Sequence, residues 1–194
     1  TTVDDTQRSH FDPVLLFNGE EKEMKGFRED ILFEEAINFI EQHKSGPFFC
    51  YIPTYSPHAP LKAPQEYLDR NNGNAFYAMI SNIDDNIGRV IDKLEALNLR
   101  KNTLIILMND NGGTFGVDEF NAGMRGCKGT SWYGGSRAFS VWNWPDQIQP
   151  GEIDEMAAHI DVLPTLAEFT SAKLPSELKN ELDGKSLFPL LKGN

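Results

Sequence analysis

The chain is short of cysteine, of positive charge and of long apolar segments. Two cysteines in 194 residues cannot make a disulfide framework. A net charge of −11 argues against a nucleic-acid partner, because nucleic acids are bound by basic surfaces. No apolar run approaches the length of a membrane helix, so we predict no membrane partner either. The remaining composition, 40% hydrophobic and 24% charged, is ordinary for a globular protein, and the length favours a single domain.

Apolar residues follow two patterns along the chain, helical spacing and short continuous runs. Helical spacing predicts helices over residues 27–44 and 75–98, and a third over 157–171 that is interrupted at Pro164. Short apolar runs predict strands at residues 14–17, 48–52, 104–108 and 138–142, the first followed by an Asn18-Gly19 hairpin turn. Because helices alternate with apolar strands, we predict an α/β fold with a largely parallel sheet flanked by helices.

The pair Asp110-Asn111 follows the apolar run 104–108 and precedes two glycines. Ligands of open α/β sheets bind at the carboxyl ends of strands, which is where this pair would lie. A carboxylate and a carboxamide supply hard oxygen ligands that suit Ca²⁺ or Mg²⁺. The same residue types also dominate ordinary turns. The pair therefore predicts either a metal site or a plain turn.

A lysine between glycines follows in the segment Gly126-Cys127-Lys128-Gly129-Thr130. Neighbouring glycines let an ammonium group approach an anion without crowding from Cβ atoms. The order Lys128-Gly129-Thr130 differs from the phosphate-binding Gly-Lys-Ser/Thr sequence of nucleotide-binding loops. The segment is thus suited to an anion without being a nucleotide signature, and a flexible surface loop is the alternative.

His58 is the most promising of the four histidines. It lies between Pro57 and Pro60, just after the apolar run 48–52. Proline restricts its own φ and the conformation of the residue before it, so this imidazole is predicted to be held in place. His10 and His43 show no pattern and are predicted to be exposed, whereas His159 is predicted to be structural.

Together and in this order, these segments resemble the sulfatase family of the alkaline-phosphatase-like superfamily. The resemblance covers about residues 27–193. Each motif is modest by itself, but their order is highly specific. The matching segments are 47–49 with 57–60, 83–89, 102–106 running into 110–113, 125–130, 144–145, 159–165 and 182–187.

The resemblance implies an alkaline-phosphatase-like fold, an arylsulfatase-like hydrolysis of sulfate esters, and roles for four residues. Asp110 and Asn111 would be two ligands of a divalent cation, usually Ca²⁺. His58 and Lys128 would be catalytic residues that contact the sulfate group, and one of them would protonate the leaving oxygen. The substrate would be a sulfated small molecule or glycan. A periplasmic or secreted location is also implied.

The nucleophile of the family is a formylglycine made within a Cys/Ser-x-Pro-x-Arg segment, and this chain has no such segment. Residue 52, two after Cys50, is Ile, and residue 129, two after Cys127, is Gly. Ser45 has Pro47 in place, but Phe49 stands where arginine is required. We therefore expect residues 1–194 to be a partial catalytic domain, without the nucleophile segment or the carboxy-terminal subdomain. By itself it would be inactive and would tend to self-associate.

Two departures from the family pattern keep alternatives open. Tyr133 stands where the family has glutamate before Gly-Gly, and Asn143 stands where it has arginine before Trp-Pro. One alternative is a phosphate mono- or diester hydrolase of the same superfamily. The other is a non-catalytic binding module that keeps the fold.

Overall fold

The computed structural model describes residues 9–193. In this part of the chain, strands and helices alternate with long loops, and there are short 3₁₀ turns at 100–102, 115–118 and 159–161. The strands are β1 (Val14–Phe17), β2 (Glu20–Glu23), β3 (Ile105–Met108) and β4 (Ser140–Asn143). The helices are α1 (Arg28–His43), α2 (Gln65–Arg70), α3 (Ala75–Ala96), α4 (Tyr133–Ser136), α5 (Val162–Thr170), α6 (Ser176–Glu181) and α7 (Phe188–Leu191).

The residues form two compact units. The first unit contains the described residues up to Arg100 together with Gly113–Gly123. The second contains Lys101–Gly112 and the described residues from Met124 onward.

In the first unit α1 packs against α3, as their apolar periodicity predicts. The isoleucines of α1 are buried, and so are Met79 and Leu94 of α3. A polar network crosses the same interface, where Asp30 Oδ1 accepts hydrogen bonds from Asn82 Nδ2 at 2.8 Å and Asn86 Nδ2 at 2.7 Å. Both asparagines are almost completely buried, so this carboxylate helps to satisfy amide donors that water cannot reach.

The predicted helices at 27–44 and 75–98 are confirmed by α1 and α3. The hairpin is also confirmed, since β1 pairs antiparallel with β2 and Asn18 and Gly19 both have positive φ. The third helix differs from the prediction. It begins as the 3₁₀ turn and continues as α5, and Pro164 lies in the first turn of α5. Proline is tolerated there because the amide groups of a first turn have no partner within the helix.

The described strands do not form the largely parallel sheet that we predicted. Both strand pairs are antiparallel, β1 with β2 and β3 with β4. The predicted strand at 48–52 belongs to neither pair. A strand needs a neighbour for its backbone hydrogen bonds, and periodicity alone does not say whether one is present. Phe49 and Tyr51 of this segment are 73% and 77% exposed.

Candidate functional site

Asp110 and Asn111 directly follow the end of β3, as predicted. β3 is paired with β4, and the pairing continues one residue further through a 3.1 Å hydrogen bond from Asn109 N to Phe139 O. Asp110 is exposed and Asn111 is half-buried. Neither side chain has a hydrogen bond or ion pair with another residue in 9–193. The carboxylate oxygens of Asp110 and the amide oxygen of Asn111 are therefore available to an external ligand.

The turn after Asn111 depends on a close backbone contact at Gly112. Gly112 N donates a 3.0 Å hydrogen bond to Gly135 O. A Cβ atom at residue 112 would lie 2.0 Å from Gly134 O, a distance that no side chain tolerates. The glycine after Asn111 is thus required by packing against α4.

Lys128 lies at the tip of a tight turn of residues 127–130. Thr130 N and Thr130 Oγ1 both donate to Cys127 O, at 3.0 and 2.7 Å. Gly129 has a φ of +86°, which favours glycine at the third position of such a turn. Lys128 is exposed, and among the described residues its ammonium group has no partner. The turn thus presents a free positive charge to solvent.

The glycine pair Gly134-Gly135 of α4 contacts both of these loops. Gly134 N donates to Arg125 O at 2.9 Å, before the lysine turn. A Cβ atom at Gly135 would lie 2.3 Å from Cys127 O and 2.4 Å from Thr130 O. The Asn111 loop and the Lys128 turn therefore rest on one pair of glycines. In the sequence, two adjacent glycines after Tyr133 are the signal that indicates such a close backbone contact.

His58 lies in the first unit, on the loop after residues 48–52. Its backbone N donates to Tyr55 O at 3.0 Å, and its Nδ1 lies 2.8 Å from Ala59 O. A carbonyl oxygen can only accept, so the proton of the neutral imidazole is on Nδ1 and Nε2 is left for a ligand. The side chain is exposed. His58 is held as predicted, by these contacts in addition to the prolines.

Glu29 of α1 supports the backbone of the His58 loop. The sequence did not predict this role. Its side chain is completely buried. Oε1 accepts hydrogen bonds from Tyr55 N at 3.1 Å and Ser56 N at 2.8 Å. An acidic residue in the first turn of a helix is common, so the sequence carried no signal for this role.

The prediction that His10 is exposed is wrong. Its side chain is buried, stacked on Phe27 and edge-on to Tyr55, with ring centroids 5.9 and 5.0 Å apart. Burial lowers the pKa of His10 below its ordinary value, and Glu29 opposes this shift only in part. His10 is therefore a neutral core residue.

Three of the four predicted site residues, Asp110, Asn111 and Lys128, lie in the second unit, and His58 lies in the first. The donor chemistry of Asp110 and Asn111 fits a hard divalent cation. Within residues 9–193 there is no cluster of three or more His, Cys, Asp or Glu side chains that could hold a metal ion. Ca²⁺ takes roughly six to eight oxygen ligands, so these two residues would supply only part of its shell.

Comparison with known proteins places the chain in a family. The sequence model of the sulfatase family matches residues 3–172. The chain is 30% identical over 189 residues to sulfatase YdeN of Escherichia coli. This alignment covers 92% of this chain and 33% of that protein. It is 31% identical over 174 residues to the steryl-sulfatase of Rattus norvegicus, covering 84% of this chain and 30% of that protein. The chain belongs to the sulfatase family.

The fold agrees with this assignment. The crystal structure of Ps i-CgsB in complex with k-i-k-neocarrahexaose matches with a TM-score of 0.81 and 30% identity, over 89% of this chain and 40% of that one. The predicted α/β class and alkaline-phosphatase-like fold are confirmed. The chain spans about a third of the length of the curated relatives that it matches.

Proposed function

We propose that the protein containing this chain hydrolyses sulfate esters with the help of a divalent cation, most simply Ca²⁺. One observation carries the proposal: in a member of the sulfatase family, the Asp110-Asn111 loop and the Lys128 turn contact the same glycine pair. The loop with the oxygen ligands and the turn with the ammonium group of Lys128 thus both pack on the backbone of Gly134-Gly135.

Asp110 and Asn111 would hold the cation through their side-chain oxygens. A bound divalent cation stabilises negative charge on the sulfate oxygens as a Lewis acid. Asp110 contributes the anionic ligand and Asn111 a neutral one.

Lys128 would bind the sulfate group. The net charge of −11 repels an anionic substrate at long range, so a local positive charge is needed at the site. Lys128 is exposed, and no residue within 9–193 pairs with its ammonium group. An ammonium held close to the equatorial oxygens stabilises the charge that they carry in the transition state.

His58 would act through Nε2, because Nδ1 is engaged by Ala59 O. A protonated Nε2 donates either to the sulfate group or to the leaving oxygen. His58 and Lys128 share these two roles in the proposal, and one of them protonates the leaving group. The nucleophile, a formylglycine, would come from outside the residues of this chain.

The substrate class in the proposal is a sulfated small molecule or glycan. The relative Ps i-CgsB, 30% identical to this chain, was crystallised with a neocarrahexaose, which supports a sugar as the carrier of the ester. None of the helices within residues 9–193 combines the length and the apolar character that crossing a bilayer requires. A periplasmic or secreted location completes the proposal, by analogy with the family.

The test is a double-mutant cycle on the full-length protein, with kcat/KM measured on an aryl sulfate. Lys128→Ala and His58→Ala should each lower kcat/KM by roughly 10²- to 10⁴-fold. The double variant should lose less than the product of the two, because both groups act on one transition state. A sulfate ester with a good leaving group should restore the rate of the variant that lacks the proton donor. It should not restore the rate of the other single variant.

Two matched variants control this test. Lys101→Ala removes an exposed lysine that pairs with Asp146 at 3.7 Å, and His43→Ala removes an exposed histidine of α1. Both should keep the activity. Unchanged rates in Lys128→Ala and His58→Ala would contradict the proposal, as would a preference for the corresponding aryl phosphate.

A further inference from the structure

His159 makes a hydrogen bond beside the proposed metal ligands. Its Nε2 lies 2.7 Å from the backbone oxygen of Asn109, the residue directly before Asp110. A carbonyl oxygen only accepts, so Nε2 carries the proton and donates it. The two residues are fifty positions apart in the sequence, so this contact is made by the tertiary structure of the second unit.

The segment that carries His159 is firmly anchored. His159 begins the 3₁₀ turn whose last residue, Asp161, is buried. The Asp161 carboxylate accepts from Ala158 N at 2.7 Å and from Lys185 N at 2.8 Å. A Cβ atom at Gly184 would lie 2.0 Å from Ile160 O, so the backbone of residues 184–185 rests directly on this turn. The backbone that carries the imidazole of His159 therefore has little freedom to move.

The proposed ligands lie between two backbone groups that are held in place. Before them, Asn109 N donates to Phe139 O at 3.1 Å, and Asn109 O accepts from His159. After them, Gly112 N donates to Gly135 O at 3.0 Å. The carbonyl of Asn109 belongs to the same planar peptide group as the amide of Asp110. The His159 bond therefore sets the orientation of the peptide from which Asp110 starts.

We propose that His159 is a positioning residue that orients Asp110 for cation binding. The inference rests on the proposed function, in which Asp110 is a ligand. A ligand whose backbone is held in the bound geometry loses less conformational freedom when the ion binds. Without the bond, the peptide between Asn109 and Asp110 turns more freely, and the carboxylate occupies the binding geometry for a smaller fraction of the time.

The test compares His159→Gln with His159→Asn in the full-length protein. Glutamine places an amide N–H near the position of Nε2, whereas the shorter asparagine places it near Nδ1 and does not reach Asn109 O. Calcium is removed with a chelator, and Ca²⁺ binding is then measured by titration calorimetry. His159→Asn should weaken Ca²⁺ binding about 10-fold or more, and His159→Gln should stay within about 3-fold of the wild type, as for other groups that orient a metal ligand.

Two further variants separate the possible failures. Asp110→Asn should abolish Ca²⁺ binding; if it binds as the wild type does, the proposed metal site itself is wrong. His43→Asn removes an imidazole that makes the same kind of bond, 2.8 Å to Phe39 O in α1, and should leave the affinity unchanged.

If Asp110→Asn loses the ion while His159→Asn binds it normally, only the role of His159 is overturned. Equal losses in His159→Asn and His159→Gln would also overturn it, because the restored donor would then have no effect. The melting temperature of each calcium-free variant shows whether it is folded. Should His159→Asn fail to fold, His159→Phe replaces it, since phenylalanine keeps the ring volume and lacks the donor.

Discussion

The buried carboxylate of Glu29 shows how one side chain supports the loop that carries His58. It accepts hydrogen bonds from two consecutive backbone amides, those of Tyr55 and Ser56, just before His58. Such an acceptor cannot be replaced by water in a completely buried position. Glu29 thus links α1 to the loop that holds the proposed catalytic histidine.

We expect Glu29→Ala to destabilise the protein substantially. Each buried amide left without an acceptor costs about 1–3 kcal/mol in the free energy of unfolding. Glu29→Gln should cost less, because its amide oxygen still accepts. Urea unfolding measures both. Glu41→Ala, which removes an exposed partner of Lys93, is the control and should change the free energy by no more than about 1 kcal/mol. Equal effects at residues 29 and 41 would contradict the role given to Glu29.

His10 makes stability depend on pH on the acid side. Burial keeps its folded-state pKa below the ordinary value of 6.5, so the unfolded chain takes up this proton first as the pH falls. The contribution of His10 to stability is therefore complete above about pH 6.5 and is lost as the pH falls towards the folded-state pKa.

His10→Phe should remove this part of the pH dependence. A phenyl ring suits the position, which is packed between Phe27 and Tyr55. Within residues 9–193 neither imidazole nitrogen has a hydrogen-bond partner that phenylalanine would lose. Urea midpoints at about pH 7.5 and pH 5.5 should differ less in His10→Phe than in the wild type. His43→Phe, which changes an exposed histidine, should retain the wild-type difference. A His10→Phe protein with unchanged pH dependence would show that another group is responsible.

At the level of elements, the four-residue helix α4 connects the two loops of the proposed site. It brings together the loop after β3 and the turn that carries Lys128, because its two glycines allow backbone to pack on backbone. Any side chain in that contact would separate the two loops.

Gly135→Ala should therefore impair function. The added Cβ would lie 2.3 and 2.4 Å from two carbonyl oxygens of the lysine turn, so the backbone must shift. In the full-length protein we expect kcat/KM on an aryl sulfate to fall at least 10²-fold, as for displacement of one electrostatic group. Gly151→Ala is the matched control, since its Cβ would meet nothing within 4 Å. Normal activity in Gly135→Ala would show that the contact does not position Lys128.

At the level of the whole molecule, several large apolar side chains within residues 9–193 are exposed. Phe49 and Tyr51 are 73% and 77% exposed in the first unit, and Val141 is 55% exposed in the second. The curated relatives are about three times as long as this chain. Exposed apolar groups on extended backbone favour association between copies.

The 194-residue chain by itself is expected to self-associate. Light scattering should show species larger than a monomer, and an apolar dye should bind. Replacing Phe49 and Tyr51 together by serine should reduce both signals, whereas Leu178→Ser, at a single partly exposed residue of α6, should not. A compact monomer at high concentration with no dye binding would contradict this expectation.

The sequence by itself was sufficient for the features that depend on neighbouring residues. The helices α1 and α3 followed from apolar spacing, and the β1–β2 hairpin followed from Asn18-Gly19, because these signals act over a few residues. The order of motifs around His58, Asp110 and Lys128 was sufficient for the family. These features are local in the chain, so the chain alone specified them.

Only the tertiary structure decided which distant segments meet. It buried His10, and it placed Glu29 against the His58 loop and His159 against Asn109. It also packed Gly112 on α4. Each of these contacts joins residues far apart in the sequence, and its partner is chosen by packing and by the need to satisfy buried polar groups. Local sequence patterns carry no information about that choice.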